Sequence, residues 1–249
     1  MIEYKSQREI DLMREAGRIV ALCHQELKSF VKAGVTGKQI DAFVEKIILA
    51  NGAIPSFKGF EGYPATTNIC INDVVVHGIP DKTALMDGDI VTIDIGACYK
   101  GFHGDSGWTY AVGEIDEQKQ KLMKITEEAL YKAIEIIGPG THLRDVSGTI
   151  QQCVESQGLS IVKELAGHGL GRSLHEDPMV LNYDSGIGDL IFKPGLVIAV
   201  EPIVAAGNPQ VEILEDDWTV VTVDGSPAAQ YEHTIAITKD GCEVLTKLK

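Results

Sequence analysis

The sequence predicts a mixed α/β (α+β) fold: two similar halves, each of two helices followed by strands, packed as one sheet with the helices outside. Two observations carry this. Four segments place apolar residues at helical spacing, and they fall in pairs, one pair ahead of the strands near 68–112 and one ahead of those from 161 onward. The strand segments show either strict alternation, as in Val91, Ile93 and Ile95 against Thr92, Asp94 and Gly96, or short apolar runs such as Leu196-Val197-Ile198-Ala199-Val200. No linker or low-complexity tract interrupts the chain, so residues 1–249 read as a single domain whose halves divide at about 1–113 and 114–249.

Taken in order, Ser6-Gln7-Arg8-Glu9 reads as a capping box, and Ile10, Met13, Gly17, Val20, Cys23 and Leu27 continue a long helix to about Val31. His24 on it is expected at the surface or half-buried. Ala33-Gly34 breaks the pattern, and Thr36-Gly37-Lys38-Gln39 opens a second helix that carries Ile40, Phe43, Ile47 and Ile48 inward and stops at Asn51-Gly52. A glycine- and aromatic-rich loop, 54–64, leads into a strand pair around Asn68 to Val76. Asp89 to Gly113 then reads as a β-hairpin turning at Tyr99-Lys100-Gly101. A fold-back about Tyr99-Lys100 sets Asp94 opposite Asp105; a register slipped by two leaves them diagonal neighbours on one face. Asp116 caps a helix bearing Leu122, Ile125, Ala129 and Ala133, ended by Gly138-Pro139-Gly140. A fourth helix spans about 143 to 157. Later strands are expected at 161–165, at 196–201 and at 230–237, the last with Glu232 on the face opposite Tyr231 and His233.

The chain has 249 residues, enough for a core of ordinary size. Its formal net charge of −14 and the lack of any basic stripe argue against a nucleic-acid or anionic-membrane partner, which would need clustered Lys and Arg. Five scattered cysteines without CxxC spacing indicate a reduced, cytoplasmic protein rather than a disulfide scaffold or zinc ribbon. The first residues lack an apolar leader, and no segment reaches the ~18 apolar residues of a membrane span.

Gly167-His168-Gly169 has neither phosphate-loop spacing, so its glycines are expected to let the backbone turn and set an imidazole in a crowded site. Glu201 ends an apolar strand, where a carboxylate has no structural use. Together Asp94, Asp105, Glu201, Glu232 and His168 make an oxygen-rich set with a single imidazole, suited to Mn²⁺, Fe²⁺ or Co²⁺. Four converging acids exceed the charge of one ion; two ions about 3.5–4 Å apart would balance them and activate a water for hydrolysis.

The sequence resembles the methionine aminopeptidases of the type I, bacterial class, from the first helix to about Leu245. The matching stretches are Val76-His77-Gly78-Ile79-Pro80, Asp87 through Gly107, Gly167-His168-Gly169 with His175-Glu176, Glu201-Pro202, and Tyr231-Glu232-His233-Thr234. The resemblance implies the pita-bread fold, with two pseudo-symmetric α/β halves around two divalent ions (Mn, Fe, Co or Zn). It implies Asp94 as chelator of one ion, Asp105 and Glu232 as bridges, and His168 with Glu201 as ligands of the other. It also makes Glu201 the proton shuttle, His175 the hydrogen-bond partner of the scissile carbonyl and His77 a neighbour of the substrate's second residue. Phe60, Tyr63 and Trp218 correspond to the aromatic wall of the methionine pocket, and the backbone oxygens of Asn72 and Val74 to a monovalent-cation site. Asn68 stands where many type I members carry Cys, and Leu174 where some carry an aromatic residue, so pocket shape is expected to differ. The implied activity is removal of the N-terminal methionine from nascent polypeptides with a small second residue, by a cytoplasmic monomer in transient proximity to the ribosome. Within the same fold, Xaa-Pro peptidases use a like ligand set but carry a large additional domain, and metal-free binding modules have lost ligands; both fit this sequence less well.

Overall fold

The structure, a computed structural model, describes residues 1–248. Helix α1 (Gln7–Phe30) starts where expected: the Glu9 carboxylate accepts the Ser6 N–H at 2.9 Å, closing the capping box. Helix α2 (Gly37–Ala50) begins with the reciprocal Thr36–Gln39 box. Its buried stripe is Ile40, Val44 and Ile48, with Phe43 and Ile47 at its margin; the true face is rotated toward Val44 relative to the sequence expectation. Strand β1 (Ile54–Pro55), the single 3₁₀ turn Phe60–Gly62, β2 (Thr67–Ile71) and β3 (Val74–Val76) follow. The last two are not a pair. Asn72 and His77 both take left-handed backbone, and β2 and β3 enter different sheets.

Strands β4 (Ile90–Tyr99) and β5 (Phe102–Ala111) form the expected hairpin, turning on Lys100-Gly101 with φ of 50° and 81°. Two successive positive φ values make the two-residue turn that matches strand twist, which requires Gly at the second position. Tyr99 therefore pairs with Phe102, Asp94 with Gly107 and Gly96 with Asp105. This is the register slipped by two, with the acids diagonal. β2 pairs along the other edge of β4, matching Asn68 to Asp94, and α1 and α2 close that sheet's apolar face through Ile19, Val20, Cys23, Leu27 and Ile40 against Val91, Ile93 and Ile95.

Helices α3 (Glu117–Ile136, capped by Asp116) and α4 (Leu143–Glu155) open the second half and pack Leu122, Ala129, Val146 and Ile150 onto its strands. These are β6 (Ser160–Ile161), β7 (Gly167–Gly169), β8 (Glu176–Val180), β9 (Val197–Val200), β10 (Ile203–Ala205), β11 (Val211–Ile213), β12 (Val220–Thr222), β13 (Ala228–Gln230), β14 (His233–Ile237) and β15 (Cys242–Val244). All pairing is antiparallel, in four hydrogen-bonded groups: β1 and β2 on one edge of β4 with β5 on the other; β15-β14-β9-β7-β8; β13-β10-β6; and β11-β12-β3.

Three sequence expectations change here. The run 230–237 is not one strand but β13 and β14, broken at Tyr231-Glu232; the strand before Glu201 ends there as expected, and a further strand, β10, resumes after Glu201-Pro202. His233 pairs with Val200 and Gln230 with Ile203, so the two breaks lie opposite each other, where both chains leave one sheet and enter the next. The glycines around His168 do not turn the chain. They sit in strand β7, and a Cβ on Gly167 would run into the Ala199 carbonyl, one on Gly169 into that of Asp177. Their use is close approach. His24, expected near the surface, is only 4% exposed, with Nδ1 2.8 Å from the Tyr110 hydroxyl and Nε2 2.9 Å from the Ser106 carbonyl.

Candidate metal centre and substrate pocket

The two strand breaks and the slipped hairpin bring the five predicted acid and imidazole positions to one cavity of about 500 Å³. Asp94 projects from β4 and Asp105 from β5. Gly107, directly opposite Asp94, leaves room: a Cβ there would press on Gln230 Nε2 at 3.1 Å and Glu232 Oε2 at 3.4 Å. Strand ends would normally pair backbone to backbone at 201 and 232. The breaks take both residues out of the strand ladders, while Glu232 N–H donates to the Gly107 carbonyl at 2.8 Å and ties the second half to the hairpin.

Each acid is held from behind. Asn68 Nδ2 donates to Asp94 Oδ2 at 3.1 Å and fixes that carboxylate oxygen. Thr234 Oγ accepts the Asp105 N–H at 2.9 Å and donates to the Asp105 carbonyl at 2.8 Å. Gln230 Nε2 donates to Glu201 Oε2 at 3.1 Å and to Glu232 Oε2 at 3.2 Å. Sequence reasoning missed Gln230, because a polar residue at the end of a three-residue strand carries no periodic signal.

Electrostatics leave the cluster over-charged. Burial, before any other cause, pushes the Asp94 carboxyl up to about 6. Asp105, Glu201 and Glu232 are raised well above the carboxylate range, by burial first and then by one another's charge. The buried oxygens Asp94 Oδ1, Asp105 Oδ1 and Glu232 Oε1 have no hydrogen-bond partner among the described residues. His168 sharpens the point. Its Nδ1 lies 2.8 Å from the Gly169 carbonyl and must donate there, so Nε2 presents a bare lone pair. That lone pair faces Glu201 Oε1 at 3.7 Å and Asp105 Oδ2 at 4.0 Å. Burial holds the ring neutral, with its pKa down at about 4. Lone pairs turned toward carboxylates repel unless a cation lies between them, and ligand atoms of Asp105, His168 and Glu232 all lie within 4.8 Å of one another. The donor set therefore fits divalent metal.

Beside this cluster lies an apolar one. Phe57, Tyr63, Ala65 and Leu174 are buried together, with Phe60, Ile79 and Trp218 packed against them. Tyr63 and Trp218 meet edge-on at 5.0 Å, and the Tyr63 hydroxyl donates to the Thr67 and Gly78 carbonyls. His175 joins the two clusters: its ring lies 5.2 Å from Phe60 and 4.3 Å from His168, both edge-on. His77 lines the cavity 6.3 Å from Trp218 and has a φ of 57°, a backbone state uncommon for a residue with a Cβ and found where function fixes a side chain. Burial lowers the pKa of both rings, keeping them neutral near pH 7. The expected acid, imidazole and aromatic positions thus line one cavity, whereas Asn72 and Val74, the positions expected at a monovalent cation, lie outside its lining.

The cavity thus combines a carboxylate cluster suited to cations with an adjoining apolar recess, and the comparisons with known proteins agree with that chemistry. The metallopeptidase family M24 model matches residues 11–239. The chain is 49% identical over 248 residues to methionine aminopeptidase 1 of Bacillus subtilis, covering all of both chains. It superposes on the crystal structure of methionine aminopeptidase from Thermotoga maritima with a TM-score of 0.97 at 44% identity, again over all of both chains. Prolidase from Pyrococcus furiosus is similar at a TM-score of 0.81 and 25% identity, over 99% of this chain and 66% of that one. These neighbours share the pita-bread fold, which is the fold described above.

Proposed function

Since the chain belongs to metallopeptidase family M24, and within it to the methionine aminopeptidases, we propose that it hydrolyses the first peptide bond of polypeptides that begin with methionine and carry a small second residue. The observation that carries this reading is the junction of two clusters in one cavity: orphaned carboxylate oxygens facing the bare His168 nitrogen, next to the aromatic recess.

In this reading Asp94, Asp105, His168, Glu201 and Glu232 hold two divalent ions, of Mn, Fe, Co or Zn. Bound there, the ions would supply an acidified water as nucleophile and polarise the scissile carbonyl. The free α-amine of the substrate approaches the same acidic cage, which an internal amide cannot do; the reaction is confined to the chain end. Phe60, Tyr63 and Trp218, with Leu174, receive the methionine side chain, whose sulfur gains about 0.3–1.5 kcal/mol per aromatic contact. Water oxygen adds to the carbonyl carbon and the C–N bond breaks. Glu201, held at Oε2 by Gln230, takes the proton from the attacking water and delivers it to the leaving nitrogen. His175, kept neutral by burial, donates a hydrogen bond to the oxygen that gains charge, and His77 contacts the second residue. The same reading extends to a monovalent cation at the backbone oxygens of Asn72 and Val74. It also extends to a single catalytic unit that works as a monomer in the cytoplasm, in transient proximity to the ribosome, without binding nucleic acid or membrane directly. No helix among the described residues is long and apolar enough to cross a membrane.

The test is peptide release by metal-stripped protein with Mn²⁺, Fe²⁺ or Co²⁺ restored, comparing Met-Ala-Ser, Leu-Ala-Ser and Arg-Pro-Pro. Metal-dependent cleavage of Met-Ala-Ser alone is expected. Preference for Arg-Pro-Pro would move the protein to the prolidase-like activity, and no cleavage with any ion would leave a binding module. Glu201→Gln, with metals bound, should lose about 10²–10⁴-fold in kcat; ordinary turnover in that variant would remove the proton shuttle.

A further inference from the structure

Among the described residues no hydrogen bond reaches the His175 ring; edge-on packing against Phe60 and His168 is its side-chain restraint. Its backbone must therefore be fixed by its neighbours. The adjacent Glu176 makes a buried ion pair with Lys5, whose side chains are 11% and 4% exposed. The Lys5 ammonium also donates to the Glu3 carbonyl at 3.0 Å, and the Lys5 N–H donates to the Gly195 carbonyl at 2.7 Å, so the lysine is itself anchored. Glu176 Oε1 accepts the Ser173 N–H at 3.1 Å, and the Ser173 carbonyl accepts the Gly171 N–H at 3.1 Å. One carboxylate thus ties both ends of the Ser173–Glu176 turn to a cation supplied from ahead of α1. The lysine stem lies flat on the backbone of Gly171; a Cβ there would strike Lys5 Cε and come within 2.8 Å of Glu176 Oε1. A simple anchor for the start of the chain would be served as well by apolar contact, since burying two charges costs desolvation that their attraction only roughly repays. Directional pairs of this kind are best attested where they fix a register.

We propose that Lys5 is a positioning residue for His175: through the buried pair with Glu176 it fixes the turn that carries the imidazole, and so sets where that imidazole stands in the cavity. This rests on the reading that His175 acts on the scissile carbonyl. The experiment is a double-mutant cycle on the metal-loaded, full-length protein, with kcat and KM for Met-Ala-Ser measured for wild type, Lys5→Met, His175→Ala and the pair, alongside thermal unfolding. Lys5→Met should lower kcat about tenfold with KM within about twofold, because a displacement well under 1 Å at a reacting group already costs that much. In the His175→Ala background it should lower kcat by less than about twofold. Equal losses in both backgrounds, or an unchanged kcat in the single variant, would overturn the proposal. A His175→Ala enzyme with wild-type kcat would instead overturn the role given to His175 itself. Should Lys5→Met fail to fold, Lys5→Met/Glu176→Gln, which leaves no unpaired buried charge, is taken through the same cycle and read in the same way.

Discussion

A single methyl group at Gly169 tests how the imidazole strand is held. Built on the native backbone, an alanine Cβ would overlap the Asp177 carbonyl, 2.7 Å from its carbon and 3.0 Å from the Glu176 oxygen, where ordinary contacts begin at 3.4 Å. Both neighbours are backbone of β8, which cannot swing aside as a side chain can. Strands β7 and β8 must part by roughly 1 Å, on the scale at which misplacing a reacting group costs about 100-fold. β7 is also packed on its other edge, with Gly169 paired to Ile198 and Gly167 against Ala199, so it cannot move away as a unit and the strain concentrates in the backbone next to His168. Overpacking of this kind costs about 1–3 kcal/mol, and at this chain length each kcal/mol lowers Tm by about 2–4 °C. Gly169→Ala should therefore unfold several degrees lower, bind Mn²⁺ more weakly by calorimetry, and lose about 100-fold in kcat/KM on Met-Ala-Ser. A variant with unchanged Tm and unchanged metal affinity would refute the claim that these glycines serve close approach.

Three further outcomes follow from the same structure. Gly148 lies inside α4 with open space around it, its nearest neighbour being Asp184 Cβ at 4.0 Å, so Gly148→Ala should raise stability by about 0.5–1 kcal/mol in urea unfolding with activity unchanged. Chelated protein carries carboxyl groups with pKa values raised by burial, a contribution complete below pH 3.8 and lost as pH climbs through about 6 for Asp94; the gap in Tm between metal-loaded and chelated protein should widen from pH 5 to pH 8, and a constant gap would contradict it. His24 behaves oppositely: burial lowers its pKa from 6.5 to about 4, so its contribution of about 3 kcal/mol is complete above pH 6.5 and fades as pH falls through 4. Its imidazole resonances should titrate with a midpoint near 4, and a midpoint near 6.5 would show that the ring reaches solvent.

Much of the site is legible in the amino-acid sequence because its residues break local rules. Glu201 ends an apolar run, His168 stands between glycines that form no known phosphate loop, and Asp94 puts a charge on the polar phase of an otherwise apolar alternating strand. Each anomaly is a local misfit, and misfits are readable one position at a time. Gln230 is not anomalous in its own neighbourhood; its importance comes from reaching two carboxylates at once, one of them 29 residues away. Lys5 is likewise an ordinary surface lysine by sequence, and only the fold buries it against Glu176, 171 residues on.

Short-range pattern along the chain specifies the four helices, the N-terminal caps of the first three, most of the apolar faces they bury, the hairpin and the chemical nature of the cluster, because each depends on spacings of a few residues. The remaining features come from the assembly of the whole chain. The two-residue turn at Lys100-Gly101 chose the slipped register, and a change of pairing partners from one sheet to the next broke the strands at Glu201 and Glu232, opposite each other. Contact with β8 and β9, not chain reversal, explains the glycines beside His168. Those outcomes rest on which segments meet. Encounters between residues far apart in the chain are set by the packing of whole faces, to which no short window of sequence has access.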